Sequence, residues 1–196
     1  MRKFLTEKRL QKITKAASAR QISLTIVLEN VHDSHNVSAI IRSCDAVGIL
    51  KVYLLYTIES CPKLSRISSA SASKWMEIEK FKSVDECVSS LKKDGFTIYS
   101  SFLDPDAKSL YQLDLTGKVA IVIGNEHRGV SDEMKDKSDG IFCIPMKGMV
   151  QSLNASVATA VSLFEALRQR EIKNMYDKPD LTPVELDKLI DKWCRK

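Results

Sequence analysis

The chain has 196 residues, of which 44% are apolar, and a formal net charge of +5. This length supports one main hydrophobic core, and the lack of a long apolar run or an apolar leader argues against a membrane-spanning or secreted protein and indicates a cytoplasmic one. The five cysteines are an odd number without CxxC spacing, which argues against a disulfide framework and a structural zinc site.

Positive charge is concentrated in the first 20 residues, which contain seven Lys or Arg and a single acidic residue, Glu7. The rest of the chain is almost neutral. A basic arm beside a neutral body suits a phosphate-backbone partner, although a solvated helix face explains the pattern equally well. We predict three parts: a basic helical arm at 1–20, a main domain at 21–170 and a helical extension at 171–196.

After the arm, short apolar runs alternate with helical patterns. The predicted strands cover residues 24–29, 51–56, 96–102, 118–124 and 140–146, and helices are predicted to begin at Asn36, Ser83, Ser131, Asn154 and Thr182. Between the second strand and the second helix, the Ser-rich stretch 60–73 is predicted to be a long loop or a short irregular helix. Apolar strands that alternate with helices form a parallel sheet covered on both faces, so the predicted fold class is α/β.

Two predicted helices carry information about packing. The helix that begins at Asn154 is apolar nearly all round, which predicts that it packs on the sheet and on a partner subunit. The C-terminal helix begins with a capping box of Thr182 and Glu185, with Pro183 at its first position. Its single apolar stripe predicts that it docks on the body of the protein.

The first of three polar stretches is NVSAIIRSCDAVG, at 36–48. Asn36 is placed to cap the helix, and Arg42 lies within two turns of it. Arg42 could form a structural salt bridge. The sharper hypothesis is that Arg42 and Asn36 contact a phosphate or a ribose.

The second stretch, IGNEHRGVS at 123–131, follows a predicted strand directly. Its polar residues, with Glu126 between Gly124 and Gly129, would lie at the carboxyl end of that strand, which is the ligand-binding edge of a parallel sheet. The alternative interpretation is that these polar residues are ordinary solvent-exposed side chains without a ligand. The closeness of the two glycines favours a binding site.

The third stretch, IPMKGMVQSLN at 144–154, joins the last strand to the long helix. Pro145 and Gly148 shape a loop whose backbone groups could bind an adenine ring, and Ser152 and Asn154 follow. An ordinary turn capped by Asn154 is an equally good interpretation. Neither GxGxxG nor GxxxxGK[ST] is present, so a dinucleotide fold and a P-loop are not supported.

These three stretches, in this order and spacing, resemble the signature motifs of the TrmH (SpoU) branch of SPOUT RNA 2'-O-methyltransferases. The similarity extends from about residue 24 to 170, and the last residues resemble the tail of bacterial enzymes that modify a D-loop guanosine of tRNA. The resemblance implies a parallel-sheet SPOUT fold with a C-terminal trefoil knot and a homodimer. It also implies S-adenosylmethionine as the cofactor and no metal.

The activity implied by the resemblance is methyl transfer from S-adenosylmethionine to the ribose 2'-hydroxyl of a D-loop guanosine, guanosine 18 of tRNA. Ribosomal RNA methylation and a non-catalytic RNA-binding role are the alternatives. Matching the family's motifs to this chain gives the catalytic candidates Asn36, Arg42, Glu126, Ser152 and Asn154. The matched cofactor-binding candidates are Phe102, Gly124, Asn125, Ile144, Met149, Ser152 and Leu153. The RNA-binding candidates are Arg2, Lys3, Lys8, Arg9, Lys12, Arg20, Arg42, Lys63 and Arg66.

Overall fold

The computed structural model describes residues 2–62 and 72–196, apart from the side chain of Lys3, so that Lys63 and Arg66 lie outside the described residues. The strands are β1 Leu24–Glu29, β2 Lys51–Leu55, β3 Glu77–Phe81, β4 Thr97–Ser101, β5 Lys108–Ser109, β6 Val119–Ile123 and β7 Gly140–Cys143. The helices are α1 Glu7–Ser18, α2 Ser34–Ala46, α3 Val84–Lys93, α4 Asp132–Lys137, α5 Ala155–Ile172 and α6 Pro183–Trp193.

All the described strands belong to one parallel sheet in the order β3-β2-β1-β6-β4-β7-β5. Leu28 of β1 pairs with Leu54 of β2 on one side and with Ile123 of β6 on the other. The chain therefore adds β2 and β3 on one side of β1 and places its later strands on the other side, beginning with β6. Such a reversal in strand order opens a crevice at the carboxyl ends of β1 and β6, where α/β proteins bind ligands.

Alternate residues of the central strands enter different cores. On β1, Ile26 and Leu28 belong to the core beneath α2 and α5, whereas Val27 belongs to the core beneath α3 and α4. Since successive side chains of a strand point to opposite faces, helices cover both faces of the sheet. The predicted α/β class with a parallel sheet is confirmed. The trefoil knot stays a prediction.

The sequence-based boundaries agree with the structure for the five predicted strands to within a few residues, but two edge strands were missed. β3 carries Glu77, Glu79 and Lys80 and is only partly buried, so it lacks the continuous apolar run that marks the inner strands. β5 has only two residues. Most of the Ser-rich stretch lies outside the described residues, and its last two residues begin a short 3₁₀ helix, Ala72–Trp75.

The two ends of the chain pack together. The Arg2 guanidinium donates to the Asp191 carboxylate at 2.7 Å and to that of Asp187 at 2.6 Å, both on α6. Apolar side chains of α1 and α6 share a small separate core with Leu50. The predicted docking of the C-terminal helix is confirmed, while the division at 20 and 170 stays a prediction. None of the described helices has the length and apolar character needed to cross a membrane.

Candidate active site

A cavity of about 400 Å³ opens at the carboxyl edge of the sheet, between the ends of β4, β6 and β7 and the start of α5. Its lining mixes apolar side chains with the polar residues of the second and third sequence motifs. The two stretches, which are separated by residues 132–143 in sequence, therefore meet around one space. The predicted ligand-binding edge of the sheet is where the cavity lies.

The loop after β6 closes on itself directly behind Gly124. The backbone N–H groups of Asn125 and Gly129 donate to each other's carbonyl oxygens at 3.0 and 2.9 Å. A Cβ on Gly124 would lie 2.1 Å from the Gly129 carbonyl carbon and 2.2 Å from the Val130 nitrogen, both backbone atoms. Only glycine therefore permits this closure, and Gly129, with φ of +70°, turns the chain back.

Asn30, which was not among the predicted site residues, holds the loop after β1 in place. It occupies the left-handed region at φ of +52°, which asparagine tolerates better than most residues. Its carbonyl oxygen accepts a 2.8 Å hydrogen bond from the Asn125 amide, which joins the loops after β1 and β6. Asparagine directly after a buried strand is the signal that could have identified it.

Buried Glu29 anchors the far end of the same β6 loop. Its carboxylate accepts hydrogen bonds from the Ser131 N–H at 2.9 Å and from the Ser131 hydroxyl at 2.6 Å. Burial raises the pKa of the Glu29 carboxyl, and the two bonds from Ser131 oppose this rise. The loop from 124 to 131 is thus tied at both ends to the central strand β1.

Glu126 connects the first and second sequence motifs. Its carboxylate accepts hydrogen bonds from the N–H groups of His32 at 2.9 Å and Asp33 at 3.2 Å, and from the Asn36 side-chain amide at 2.9 Å. Burial by itself would raise the pKa of the Glu126 carboxyl, but the Asn36 amide and the backbone donors outweigh it and hold the pKa below its usual value. Glu126 is therefore a fixed, ionised acceptor in this structure.

Asn154 links the third motif to the other two. Its side-chain amide donates to the Asn36 side-chain oxygen at 3.1 Å, while its own oxygen caps α5 by accepting from the Ser156 N–H at 2.8 Å. The expected cap role of Asn154 is confirmed, and the chain Asn154–Asn36–Glu126 joins the loops that follow three strands. This chain is the connection that gathers the three motifs into one site.

The expectation that Asn36 caps its helix is wrong. The cap is Asp33, three residues earlier, and its carboxylate accepts from the His35 N–H at 2.8 Å. Asn36 lies in the first turn, and its side chain is directed to Glu126 and Asn154 instead. Either Asp33 or Asn36 can cap a helix by residue type, and the sequence did not distinguish them.

The family model described as the SpoU rRNA Methylase family matches residues 23–164, which include the sheet and all three motifs. The chain belongs to the SpoU methylase family.

Relatives in this family match almost the whole chain. The tRNA (guanosine(18)-2'-O)-methyltransferase of Thermus thermophilus is 43% identical over 191 residues, which cover 97% of this chain and 98% of that protein. The crystal structure of the TrmH/SpoU tRNA modifying enzyme of Aquifex aeolicus superposes with a TM-score of 0.90 at 39% identity, covering 96% of both chains. The SpoU methyltransferase AviRb of Streptomyces viridochromogenes, in complex with AdoMet, superposes with a TM-score of 0.68 at 25% identity over 79% of this chain and 62% of that one.

Within the SpoU methylase fold of this chain, the cavity brings together six of the seven predicted cofactor-binding residues. The lining includes Phe102, Gly124, Asn125, Ile144, Ser152 and Leu153. Met149 is the exception, because its side chain is 99% exposed and does not line the cavity. Among the described residues, no three His, Cys, Asp or Glu side chains are grouped so as to hold a metal ion.

Arg42 does not line this cavity of the SpoU methylase chain. It lies on the exposed side of α2, two turns along the helix from Asn36. Its side chain makes no hydrogen bond or ion pair with any residue that the structure describes, so the structural salt bridge considered from the sequence is absent there. Arg42 is a free guanidinium beside the motif network.

The predicted RNA-binding cations of the arm fall into two groups. Lys8, Arg9 and Lys12 are exposed on α1. Arg20 is only 3% exposed and is held by Asp45 and by the Ile49 carbonyl oxygen, so it is not a surface cation like the other three, and its assignment to RNA stays a prediction. The sequence could not distinguish these groups, since the basic residues of one helix look alike until its buried face is known.

Proposed function

We propose that this protein transfers a methyl group from S-adenosylmethionine to the ribose 2'-hydroxyl of guanosine 18 in the D-loop of tRNA. The observation that carries the proposal is the chain Asn154–Asn36–Glu126, which gathers the loops after β1, β6 and β7 beside one cavity. The near full-length similarity to the Thermus thermophilus tRNA enzyme supports the choice of tRNA. With tRNA as the substrate, we infer a cytoplasmic location.

The cavity has the features that an adenosyl cofactor requires. Its volume of about 400 Å³ is within the range of small-molecule sites, roughly 300–1,000 Å³. Phe102, Ile144 and Leu153 offer apolar surface to a purine ring, and Gly124, which also lines the cavity, lets the loop after β6 close beside it. When bound, the cofactor supplies an electrophilic methyl group on a sulfonium.

Arg42 is proposed to hold the RNA rather than to remove the proton from the hydroxyl. A guanidinium has five N–H donors and no acceptor, so it suits a phosphate or a ribose oxygen and not the role of a general base. Its positive charge also stabilises negative charge as it develops on the ribose oxygen. Because Arg42 has no intramolecular partner among the described residues, no ion pair has to break when RNA binds.

We infer that the protein acts as a homodimer that assembles through α5. One face of this helix packs on the protein, with Leu163 and Ala166 fully buried, while Val157 and Phe164 on another face are 47% and 50% exposed. Residues seven apart lie on the same side of a helix, so these two side chains form an apolar stripe. The cavity includes Ala158 of the same helix, which brings the proposed interface next to the site.

In this dimer, Arg42 of one protomer is proposed to serve the cavity of the other, since it does not line the cavity of its own chain. Mixing Arg42→Ala with Gly124→Ala subunits tests this arrangement. Shared sites predict about a quarter of wild-type activity at equal amounts, because about half of the dimers are mixed and each contains one complete site. Activity no higher than that of the two separate variants would contradict shared sites.

The substrate is tested by incubating the protein with labelled S-adenosylmethionine and unmodified transcripts of tRNA and ribosomal RNA, then mapping the methylated nucleotide. We expect label in tRNA at guanosine 18 and none in a transcript that carries 2'-deoxyguanosine there. Label confined to ribosomal RNA would support the alternative substrate. Calorimetric titration with S-adenosylmethionine distinguishes an enzyme from a non-catalytic RNA-binding protein, for which no cofactor binding is expected.

A further inference from the structure

One wall of the cavity in which the cofactor is proposed to bind, here called the cofactor cavity, comes from the residues that follow β4. Phe102 and Leu103 both line it. The backbone of Phe102 is fixed, because its N–H donates to the Phe142 carbonyl oxygen of β7 at 2.9 Å. Residues 103–106 lie beyond the sheet, and Leu103 is 62% exposed. Something other than the sheet must therefore hold this wall in place.

Within the described part of the chain, segment 103–106 has one link by hydrogen bond or ion pair to another element. The Lys135 ammonium on α4 donates to the Asp104 carboxylate at 2.8 Å. The other bonds of the segment are local, since the Asp104 carboxylate and carbonyl oxygen accept from the N–H groups of Asp106 and Ala107, both at 3.0 Å. Asp104 thus shapes the turn, and Lys135 fixes where the turn lies.

The same ammonium group also contacts the aromatic residue of the wall. The Lys135 nitrogen lies 4.4 Å from the centre of the Phe102 ring, a distance at which the cation is attracted to the face of the ring. The hydrogen bond from Lys135 lowers the pKa of the Asp104 carboxyl, so the pair stays ionised at neutral pH. One side chain therefore holds two residues of the wall, Phe102 and Asp104.

Helix α4 gives Lys135 a firm support. The Lys135 N–H donates to the Ser131 carbonyl oxygen at 2.9 Å, and the preceding residue, Met134, is completely buried. Ser131 caps the helix and is itself held by the buried Glu29 carboxylate of β1. Because Ser131 also ends the loop after β6, whose Val130 lines the cavity, α4 connects two walls of the cofactor cavity.

We infer that Lys135 is a positioning residue for the cofactor: from α4 it holds Phe102 and Asp104, and so keeps the wall after β4 at a fixed place opposite the loop after β6. The identity of the cofactor, S-adenosylmethionine, rests on the proposed function. Without Lys135 the wall has to be ordered when the cofactor binds, which costs affinity. Lys135 does not line the cavity, so it acts only through the residues that it holds.

The matched control is Lys137, two residues further along the same helix. The two lysine side chains are similarly covered, at 29% and 33% exposed, but Lys137 pairs with Asp85 and Glu133 and not with the wall. In calorimetric titrations with S-adenosylmethionine, Lys135→Ala should weaken binding about tenfold and Lys137→Ala less than about twofold. Equal weakening by both variants would overturn the inference, because loss of any lysine of α4 would then explain it.

Two further measurements separate positioning from a general loss of stability. Lys135→Arg should restore most of the affinity, because a guanidinium also pairs with a carboxylate and stacks on an aromatic ring. In Lys135→Ala the KM for S-adenosylmethionine should rise, whereas kcat at saturating cofactor should stay within about twofold of wild type, since the residue touches no reacting group. A fall in kcat with an unchanged KM would contradict a role in holding the cofactor wall.

Asp104→Asn removes the same link from its other end. The asparagine oxygen can still accept from the Asp106 N–H, so the local turn is kept while the charged partner of Lys135 is lost. Cofactor affinity should fall about threefold, and Lys135→Ala combined with Asp104→Asn should bind no more weakly than Lys135→Ala alone. Losses that add in the double variant would show that the two residues act independently and would overturn the inference.

Methylation of an unmodified tRNA transcript, measured in parallel, keeps this inference distinct from the proposed function. If wild type binds the cofactor and methylates the transcript but Lys135→Ala binds the cofactor equally well, the positioning role alone is refuted. If Lys135→Ala weakens cofactor binding as expected but wild type does not methylate the transcript, the proposed function alone is refuted.

Discussion

Two arginines on the helices that cover one face of the sheet have opposite surroundings. Arg170, near the end of α5, is completely buried and donates to the carbonyl oxygens of Leu115, Ser23 and Gly117 at 2.7–3.0 Å. Arg42, on α2, is exposed and has no protein partner among the described residues. The comparison shows that a guanidinium stabilises the fold where protein acceptors satisfy its N–H donors, and that it remains available to a substrate where they do not.

The Arg170 site is unusual because, among the described residues, no carboxylate contacts the buried guanidinium. Burial lowers the pKa of Arg170, which reflects the cost of holding a charge away from water. The Gln21 side-chain oxygen and the Ser23 hydroxyl add two acceptors at 2.9 and 2.8 Å. These bonds join the start of β1, the turn before β6 and the end of α5 at the edge of the sheet opposite the cofactor cavity.

The largest effect on stability is expected for Arg170→Met. The change leaves the buried Leu115 carbonyl and the part-buried Gly117 carbonyl without this donor, whereas the Ser23 carbonyl still accepts from the Val119 N–H. At about 1–3 kcal/mol for each of the two unsatisfied groups, we expect a loss of about 2–6 kcal/mol in the free energy of unfolding. Urea denaturation measures it. The matched control is Arg168→Met on the same helix, whose exposed guanidinium pairs with Glu165 alone among the described residues and should matter far less. Similar losses for both variants would refute the structural role assigned to Arg170.

Gly124→Ala is expected to have the next largest effect. The new methyl group would overlap the backbone of Gly129 and Val130, so the loop after β6 must open, at a cost of about 1–3 kcal/mol. Affinity for S-adenosylmethionine should fall together with stability, which calorimetry and thermal unfolding measure. Gly117→Ala is the control, since nothing lies within 4 Å of its added Cβ. An unchanged cofactor affinity in Gly124→Ala would show that the loop does not shape the site.

Glu126→Gln should cost less stability, about 1–2 kcal/mol, because one of its two carboxylate oxygens is replaced by a donor that faces another donor. The effect should depend on pH. The pKa of Glu126 is lower in the folded protein, so its contribution to stability is present above the unfolded pKa and is lost as the pH falls through the folded pKa. The difference between wild type and variant, measured by urea denaturation, should be largest near neutral pH and shrink in acid. A difference that stays constant with pH would contradict an ionised Glu126.

The sequence predicted the inner part of this molecule better than its edges. The inner strands are continuous apolar runs, from which the sheet could be predicted. The three polar motifs lie between these strands and the helices that follow, so the ligand-binding edge of the sheet could be predicted as well. The contacts within the site could not be predicted, because they depend on the register between β1 and β6. Glu29 and Asn30 lie at the end of an apolar strand, and only the pairing of that strand with β6 brings them to Ser131 and Asn125. In the same way, nothing in the sequence of the arm distinguished buried Arg20 from exposed Arg9.

Arg42→Ala is expected to have the smallest effect on stability and the largest on catalysis. The side chain is exposed and has no described partner, so the free energy of unfolding should change by less than about 0.5 kcal/mol. Methylation in a single turnover should nevertheless fall by about 10²–10³, the typical loss when a charge-stabilising donor is removed.

Arg42→Lys refines this prediction, because lysine keeps the charge but lacks the planar fork of donors. Measuring transcript affinity and single-turnover rate in both variants separates positioning from stabilisation of charge. If lysine restores affinity but not rate, the geometry of the guanidinium matters for the chemical step, whereas an unchanged rate in both variants would remove Arg42 from the chemistry. Arg170→Met completes the comparison. We expect the Arg170 variant to lose the most stability and the Arg42 variants to lose the most activity, because Arg170 stabilises the fold and Arg42 acts on the substrate.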